Sequence, residues 1–210
     1  MRQVETWQRK GLTPMKIIDI SQEVLSSQVY PGDPAPRSER TSSIERGDAY
    51  NLSAFSMCAH NGTHIDAPSH FFRDGKTVDQ LPLDVFVGDC FVAHHQGDMT
   101  AEDARTVLRK ATAAGAAERI LIAGDVTVTA EAAKVFATSG IVRLLGNEGQ
   151  TVGPEDAPME VHRILLGAGI VLLEGVVLKD VAERKYFLSA APLNLVGFEG
   201  SPCRAYLVEM

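Results

Sequence analysis

Residues 60–70 read His60-Asn-Gly-Thr-His64-Ile-Asp66-Ala-Pro-Ser-His70, so three of the chain's six histidines fall in one short segment, with an aspartate among them. His60 and His64 are four residues apart, and Asp66 follows two later. Two neutral imidazoles and one hard carboxylate form a donor set that suits a borderline cation such as Zn²⁺. Ala67-Pro68 follows Asp66 and disfavours an uninterrupted helix through the segment. Gly62 lets the backbone turn tightly and approach a ligand. Taken alone, this spacing leaves a hydrogen-bonded loop cluster as an even alternative.

Further donors lie a hundred residues on, in His162-Arg-Ile-Leu-Leu-Gly-Ala-Gly-Ile-Val-Leu-Leu-Glu174. Glu174 closes an apolar run. A carboxylate there is costly unless a cation or hydrogen-bond donors satisfy it. His94 and His95 are adjacent, should point to opposite faces of a strand, and read as ordinary. Cys58 reads as a small buried hydrophobe beside the segment, and Glu155-Asp156 as part of a solvated loop.

The elements that must position these residues alternate in type. Residues 16–20 form an extended apolar run, and Val29 to Pro36 a turn-rich loop. Residues 51–58 alternate, which predicts a strand with one buried face that feeds the histidine segment. Residues 73–79 read as a hairpin or loop, and 85–94 as a strand. Residues 100–117 predict a helix capped by Thr100 with Asp103 three residues on. Strands at 119–124, 141–145 and 170–173 alternate with helices at 129–138 and 159–166. The loop at 146–158 is rich in Gly, Pro and acids. Two short apolar runs follow Tyr186. The pattern predicts a mixed α/β (α+β) fold, with helices packed on one sheet in a single domain.

Composition narrows the function. The chain has 210 residues, 45% hydrophobic and 22% charged, as ordinary globular proteins do. A formal net charge of −7 argues against sequence-independent nucleic-acid binding, which needs a basic footprint. No apolar run is long enough for a transmembrane helix. Residues 1–14 carry no apolar signal-peptide core. They read as a polar, loosely attached leader or, through Trp7, as a contact to a partner subunit. The folded domain is expected to span 15–210. Three widely spaced cysteines (Cys58, Cys90 and Cys203) read as reduced thiols of a cytoplasmic protein.

With both clusters in view, the chain resembles the cyclase-like metal-dependent hydrolases, which include bacterial kynurenine formamidases (arylformamidases) and isatin hydrolases. Residues 60–70 match that family's His-x-Gly-Thr-His-x-Asp-x-Pro-x-His signature. The likeness runs from Met15 to Met210 through Asp19-Ile-Ser, Tyr30-Pro-Gly-Asp33, Asp74-Gly75, His162-Arg-x-Leu-Leu-x-Ala-Gly, Glu174-Gly and Pro192-Leu193. It implies a swivelling β/β/α fold and a centre of one or two Zn²⁺, with Mn²⁺ or Fe²⁺ as alternatives. His60, His64 and Asp66 would hold one cation. Asp66, His162 and Glu174 would hold the second, with Asp66 and Glu174 bridging. His70 would be the catalytic proton donor and acceptor. Tyr30 would line the substrate pocket where kynurenine formamidases usually carry a tryptophan.

The implied reaction is hydrolysis of a small amide by activated water, with N-formylkynurenine as the nearest substrate. Lactam or lactone ring opening is the enzymatic alternative, and a non-catalytic metal-binding module the other. Tyr30 and the loop Gly146 to Gly153, which replaces a Thr/Asp-x-Pro-Ser type segment, are departures that bear on the substrate. The resemblance also implies a homodimer or homotetramer.

Overall fold

The computed structural model describes residues 15–209. The expected leader, residues 1–14 with Trp7, lies outside the described residues.

The central sheet has nine strands. They are β1 (Lys16–Asp19), β4 (His64–Asp66), β5 (Val87–His94), β7 (Arg119–Ala123), β9 (Leu144–Asn147), β10 (Val171–Glu174), β11 (Arg184–Ser189), β12 (Gly200–Pro202) and β13 (Tyr206–Glu209). Their order is β1-β13-β11-β5-β7-β9-β10-β4-β12. The middle of the sheet, β5-β7-β9-β10, is parallel. Three helices, α1 (Ala101–Ala113), α2 (Ala130–Thr138) and α3 (Met159–Gly167), make its crossovers. Both flanks are antiparallel.

Period-2 alternation divides the core. Phe91, Ala93, Ile120, Ile122 and Leu172 face the helices. Cys90, Val92, Leu121, Leu173 and Leu207 face the opposite side. That second face is sealed because the sheet curls. The carbonyl of Ile20, just past β1, accepts from Val177 N (2.8 Å), just past β10. The two flanks, far apart in strand order, therefore meet over one core.

α1 starts as its sequence predicts. Thr100 Oγ1 accepts from Asp103 N, and Asp103 Oδ2 accepts from Thr100 N, so two otherwise orphaned donors are satisfied.

Three expectations need correction. β3 (Leu52–Ser56) is a strand, but all five of its residues are exposed. It pairs only with the exposed β2 (Arg37–Ser42), so neither face of this hairpin is covered by the described chain. Cys58 is half-buried, not buried, because its Sγ faces Asp33 Oδ2 (3.4 Å). His94 and His95 do not divide between two faces. β5 ends at His94, the chain turns, and both rings line one cleft. β6 (Gly97–Met99) and β8 (Val126–Val128) form a small parallel pair beside that cleft. Both are too short to be read from alternation.

Candidate metal centre

Register explains how distant residues meet. β4 lies antiparallel to β10, with His64 opposite Glu174, Ile65 opposite Leu173 and Asp66 opposite Leu172. Directly opposed residues share a face. His64, Asp66 and Glu174 therefore project toward the helices with Leu172, while Ile65 and Leu173 enter the other core. On α3, Val161, His162, Leu165 and Leu166 are buried, a spacing that lays one stripe on the sheet. His162 is carried down onto the two carboxylates by that packing. His60 arrives from the turn before β4, and Gly62 makes the turn with φ of 68°.

The donors gather as two triads that share Asp66: His60, His64 and Asp66, and Asp66, His162 and Glu174. Within each triad the ligand atoms lie within 4.8 Å of one another. His60 Nδ1 is 2.7 Å from Asp66 Oδ1. His64 Nε2 lies 3.4 Å from Asp66 Oδ1 and 3.4 Å from Glu174 Oε2. His162 Nε2 lies 3.5 Å from Asp66 Oδ2 and 3.2 Å from Glu174 Oε1. The 2.7 Å His60–Asp66 contact is hydrogen-bond length, whereas separations of 3.2–3.5 Å lie at or beyond the long end of that range. These longer separations match the roughly 3.3 Å edge of a tetrahedron whose corners sit about 2.0–2.1 Å from a central cation.

The electrostatics agree. Asp66 and Glu174 are 1% and 2% exposed, which an ionised carboxylate tolerates only beside positive charge. Without a bound cation, protonated imidazoles would supply that charge. Burial pushes the His64 and His162 imidazoles down, but the adjacent Asp66 and Glu174 carboxylates outweigh it. His64 is raised well above the ordinary value, and His162 is raised to about 10. Burial pushes Asp66 up, and its histidine partners outweigh that and hold it well below the carboxylate range. The same carboxylates can hold a divalent cation in place of those protons. The donor set fits a divalent metal.

Neighbouring groups lock the centre. Val152 N donates to Glu174 Oε1 (2.8 Å). His64 Nδ1 meets Gly62 O (3.0 Å) and His162 Nδ1 meets Pro158 O (2.9 Å), so the Nε2 atoms of both face the carboxylates. His70 lies at the exposed lip. Its ring stacks on His60 with centroids 4.1 Å apart and stands 6.2 Å from His162. Loss of hydration lowers its pKa, the charge of Asp66 opposes that, and His60 and His162 add to the lowering. Phe71 stacks on His162 at 5.0 Å.

The structure thus brings His60, His64, Asp66, His70, His162 and Glu174 together. Tyr30 is placed differently, on the 30–33 turn, with its hydroxyl reaching Glu155 O (3.4 Å). Sequence reasoning overlooked Phe71 and Glu199, whose Oε1 lies 3.4 Å from His60 Nε2. Nothing local in the sequence marks Glu199, because strand pairing across the sheet edge brings it there.

A separate concavity lies elsewhere in the fold. A cleft of about 1550 Å³ opens at the carboxyl ends of β5, β7 and β9, and none of the six clustered residues lines it.

The family model described as "Putative cyclase" matches residues 18–154. A kynurenine formamidase of Salinibacter ruber (strain DSM 13855 / M31) is 35% identical over 92% of this chain and 97% of its own length. The chain belongs to the cyclase family. A second kynurenine formamidase, from Erythrobacter litoralis (strain HTCC2594), is 32% identical over 93% of this chain and 94% of its own. A solved cyclase-like structure, described as a potential metal-dependent hydrolase with cyclase activity, has a TM-score of 0.77 at 29% identity. It covers 93% of this chain and 98% of that one. Isatin hydrolase A of Labrenzia aggregata shares the fold, with a TM-score of 0.79 at 23% identity over 92% and 93% of the two chains. The swivelling mixed α/β fold expected from the sequence is therefore the fold of this family.

Proposed function

We propose that this cyclase-family chain is a metal-dependent hydrolase of a small aryl formamide, acting most like a kynurenine formamidase on N-formylkynurenine to give kynurenine and formate. The observation that carries the reading is the pair of buried carboxylates, Asp66 and Glu174, ringed by three imidazoles beside the exposed ring of His70. Likeness to two kynurenine formamidases over most of the chain supports the substrate class.

In this reading His60, His64 and Asp66 hold one divalent cation, and Asp66, His162 and Glu174 hold a second, with Zn²⁺ the natural occupant of such donors. When bound, the cation acidifies water and polarises the amide carbonyl. The remaining work falls to the chain. The lowered pKa of His70 leaves its imidazole neutral near pH 7. It can therefore accept a proton from water and return it to the departing nitrogen. Phe71 shields His162 and gives the lip an apolar flank. We assign Tyr30, whose hydroxyl reaches Glu155 O (3.4 Å), to the substrate side.

We also expect a homodimer or homotetramer in the cytoplasm. Exposed Leu52 and Phe55 on the β2–β3 hairpin support association, and the absence of disulfides among the described cysteines fits a reducing compartment. No helix of the described residues is long and apolar enough to cross a membrane.

Ring opening of a lactam or lactone is the second reading, because Tyr30 and the Gly146 to Gly153 loop depart from the kynurenine formamidase pattern. A panel of N-formylkynurenine, isatin and a simple aryl lactone separates them. Preference for N-formylkynurenine in kcat/KM supports the formamidase reading, and preference for isatin or the lactone overturns it. Bound metal without hydrolysis of any of the three would point to a binding module.

A further inference from the structure

Each clustered histidine must present one nitrogen to the carboxylates, and its other nitrogen must be fixed for the tautomer to be defined. His64 and His162 meet this need with backbone carbonyls at Nδ1. His60 is turned the other way. Its Nδ1 faces Asp66 Oδ1 at 2.7 Å, and its Nε2 is buried without a hydrogen-bond partner among the described residues. The group opposite that nitrogen is Glu199 Oε1, at 3.4 Å.

β12 builds this arrangement. It pairs with β4 so that Gly200 lies opposite Asp66, and Ala67 N donates to Glu199 O (2.8 Å). The backbone of Glu199 is thereby pinned beside the strand that carries two of the candidate ligands. Gly200 supplies the floor. A Cβ there would stand 2.5 Å from His60 Cε1 and 2.9 Å from Nε2, so the imidazole rests on bare backbone. The Glu199 side chain keeps 44% of its exposure, so its charge stays solvated without a buried partner. Closing the gap by about half an ångström gives a charge-assisted N–H···O bond of about 2.7–2.9 Å.

We infer that Glu199 is a positioning residue: its carboxylate accepts the Nε2 proton of His60 and so presents Nδ1 to the cation shared with Asp66. His60 Nε2 has no hydrogen-bond partner among the described residues, and the Glu199 carboxylate is the group that stands beside it. The inference rests on the metal-centre reading above.

The test is Zn²⁺ titration of the chelator-stripped full chain against a competing chromogenic chelator, for wild type, Glu199→Gln and Glu199→Ala. Loss of such an outer partner typically lowers metal affinity about 10–100-fold, and that is expected for Glu199→Ala. Glu199→Gln keeps an acceptor without the charge and should fall between. The melting temperature of the metal-free protein should be unchanged in both, since a half-exposed side chain carries little of the fold. In a His60→Ala background, Glu199→Ala should have no further effect on zinc affinity. The ¹⁵N spectrum of the zinc-loaded wild type should show His60 protonated at Nε2. Wild-type zinc affinity in Glu199→Ala, or an undiminished loss in the His60→Ala background, overturns the inference while leaving the centre standing. A wild-type chain that binds no zinc removes the centre itself.

Discussion

Two regions of this molecule carry paired histidines among acids, and they differ in what surrounds the rings. At the 60–70 segment the imidazoles face two carboxylates that are almost wholly out of water. At the end of β5, His94 Nε2 meets Val181 O (2.7 Å) and His95 Nε2 approaches Asp98 O (3.4 Å). Of the acids there, Asp98, Asp125, Glu155 and Asp156 are exposed, the half-buried Glu148 accepts from Gly124 N (2.7 Å) and Leu178 N (2.7 Å), and neither ring forms an ion pair among the described residues. The second region lines a cleft of about 1550 Å³. The rings and Glu148 there take backbone partners, and the other acids face solvent. Desolvated carboxylates opposite imidazole nitrogens, and not cavity size or histidine count, mark the chemistry.

That contrast can be broken by substitution. Asp66 is common to both triads, so Asp66→Asn should give the largest effect, with turnover at background and bound metal lost by elemental analysis. Asp98→Asn in the cleft should retain the metal and the rate. Equal losses in the two variants would erase the distinction.

Next in size is His70. His70→Ala should lower kcat by about 10²–10⁴-fold, the range of a removed general acid–base group, with metal content unchanged. His94→Ala and His95→Ala should keep wild-type kcat. Full activity in His70→Ala would remove it from the mechanism.

A subtler difference lies in protons. His162 is raised to about 10 in the cation-free protein, so at about pH 7–8 it carries a proton that metal must displace. Zinc binding should therefore release protons, and apparent affinity should climb with pH until that pKa is passed. Calorimetry in buffers of different ionisation enthalpy reads the release, which His95→Ala should leave unchanged. Proton-neutral binding would contradict the charge state described here.

Much of this was legible in the sequence because it is encoded locally. The Thr100–Asp103 cap, the apolar strand at 119–123 and the break after α3 depend on neighbours within a turn or two. The candidate ligands were legible from residue type and spacing together with resemblance. What escaped depends on long-range pairing. The 51–58 segment alternates like a half-buried strand, yet β3 is exposed on both faces, so its pattern misled. Glu199 reaches His60 only because β12 joins β4 across the sheet edge. The cleft at the ends of β5, β7 and β9 arises from strand order, which no local signal contains.

The central claim is that the shared-carboxylate centre holds a divalent cation and uses it for amide hydrolysis. Its most direct test is to strip the protein with a chelator, add zinc back in steps and follow N-formylkynurenine hydrolysis against zinc bound per chain. The stripped protein should show no turnover, and the rate should rise with added zinc and saturate at about one or two zinc ions per chain. Turnover that survives the chelator, or that ignores the zinc restored, would contradict it.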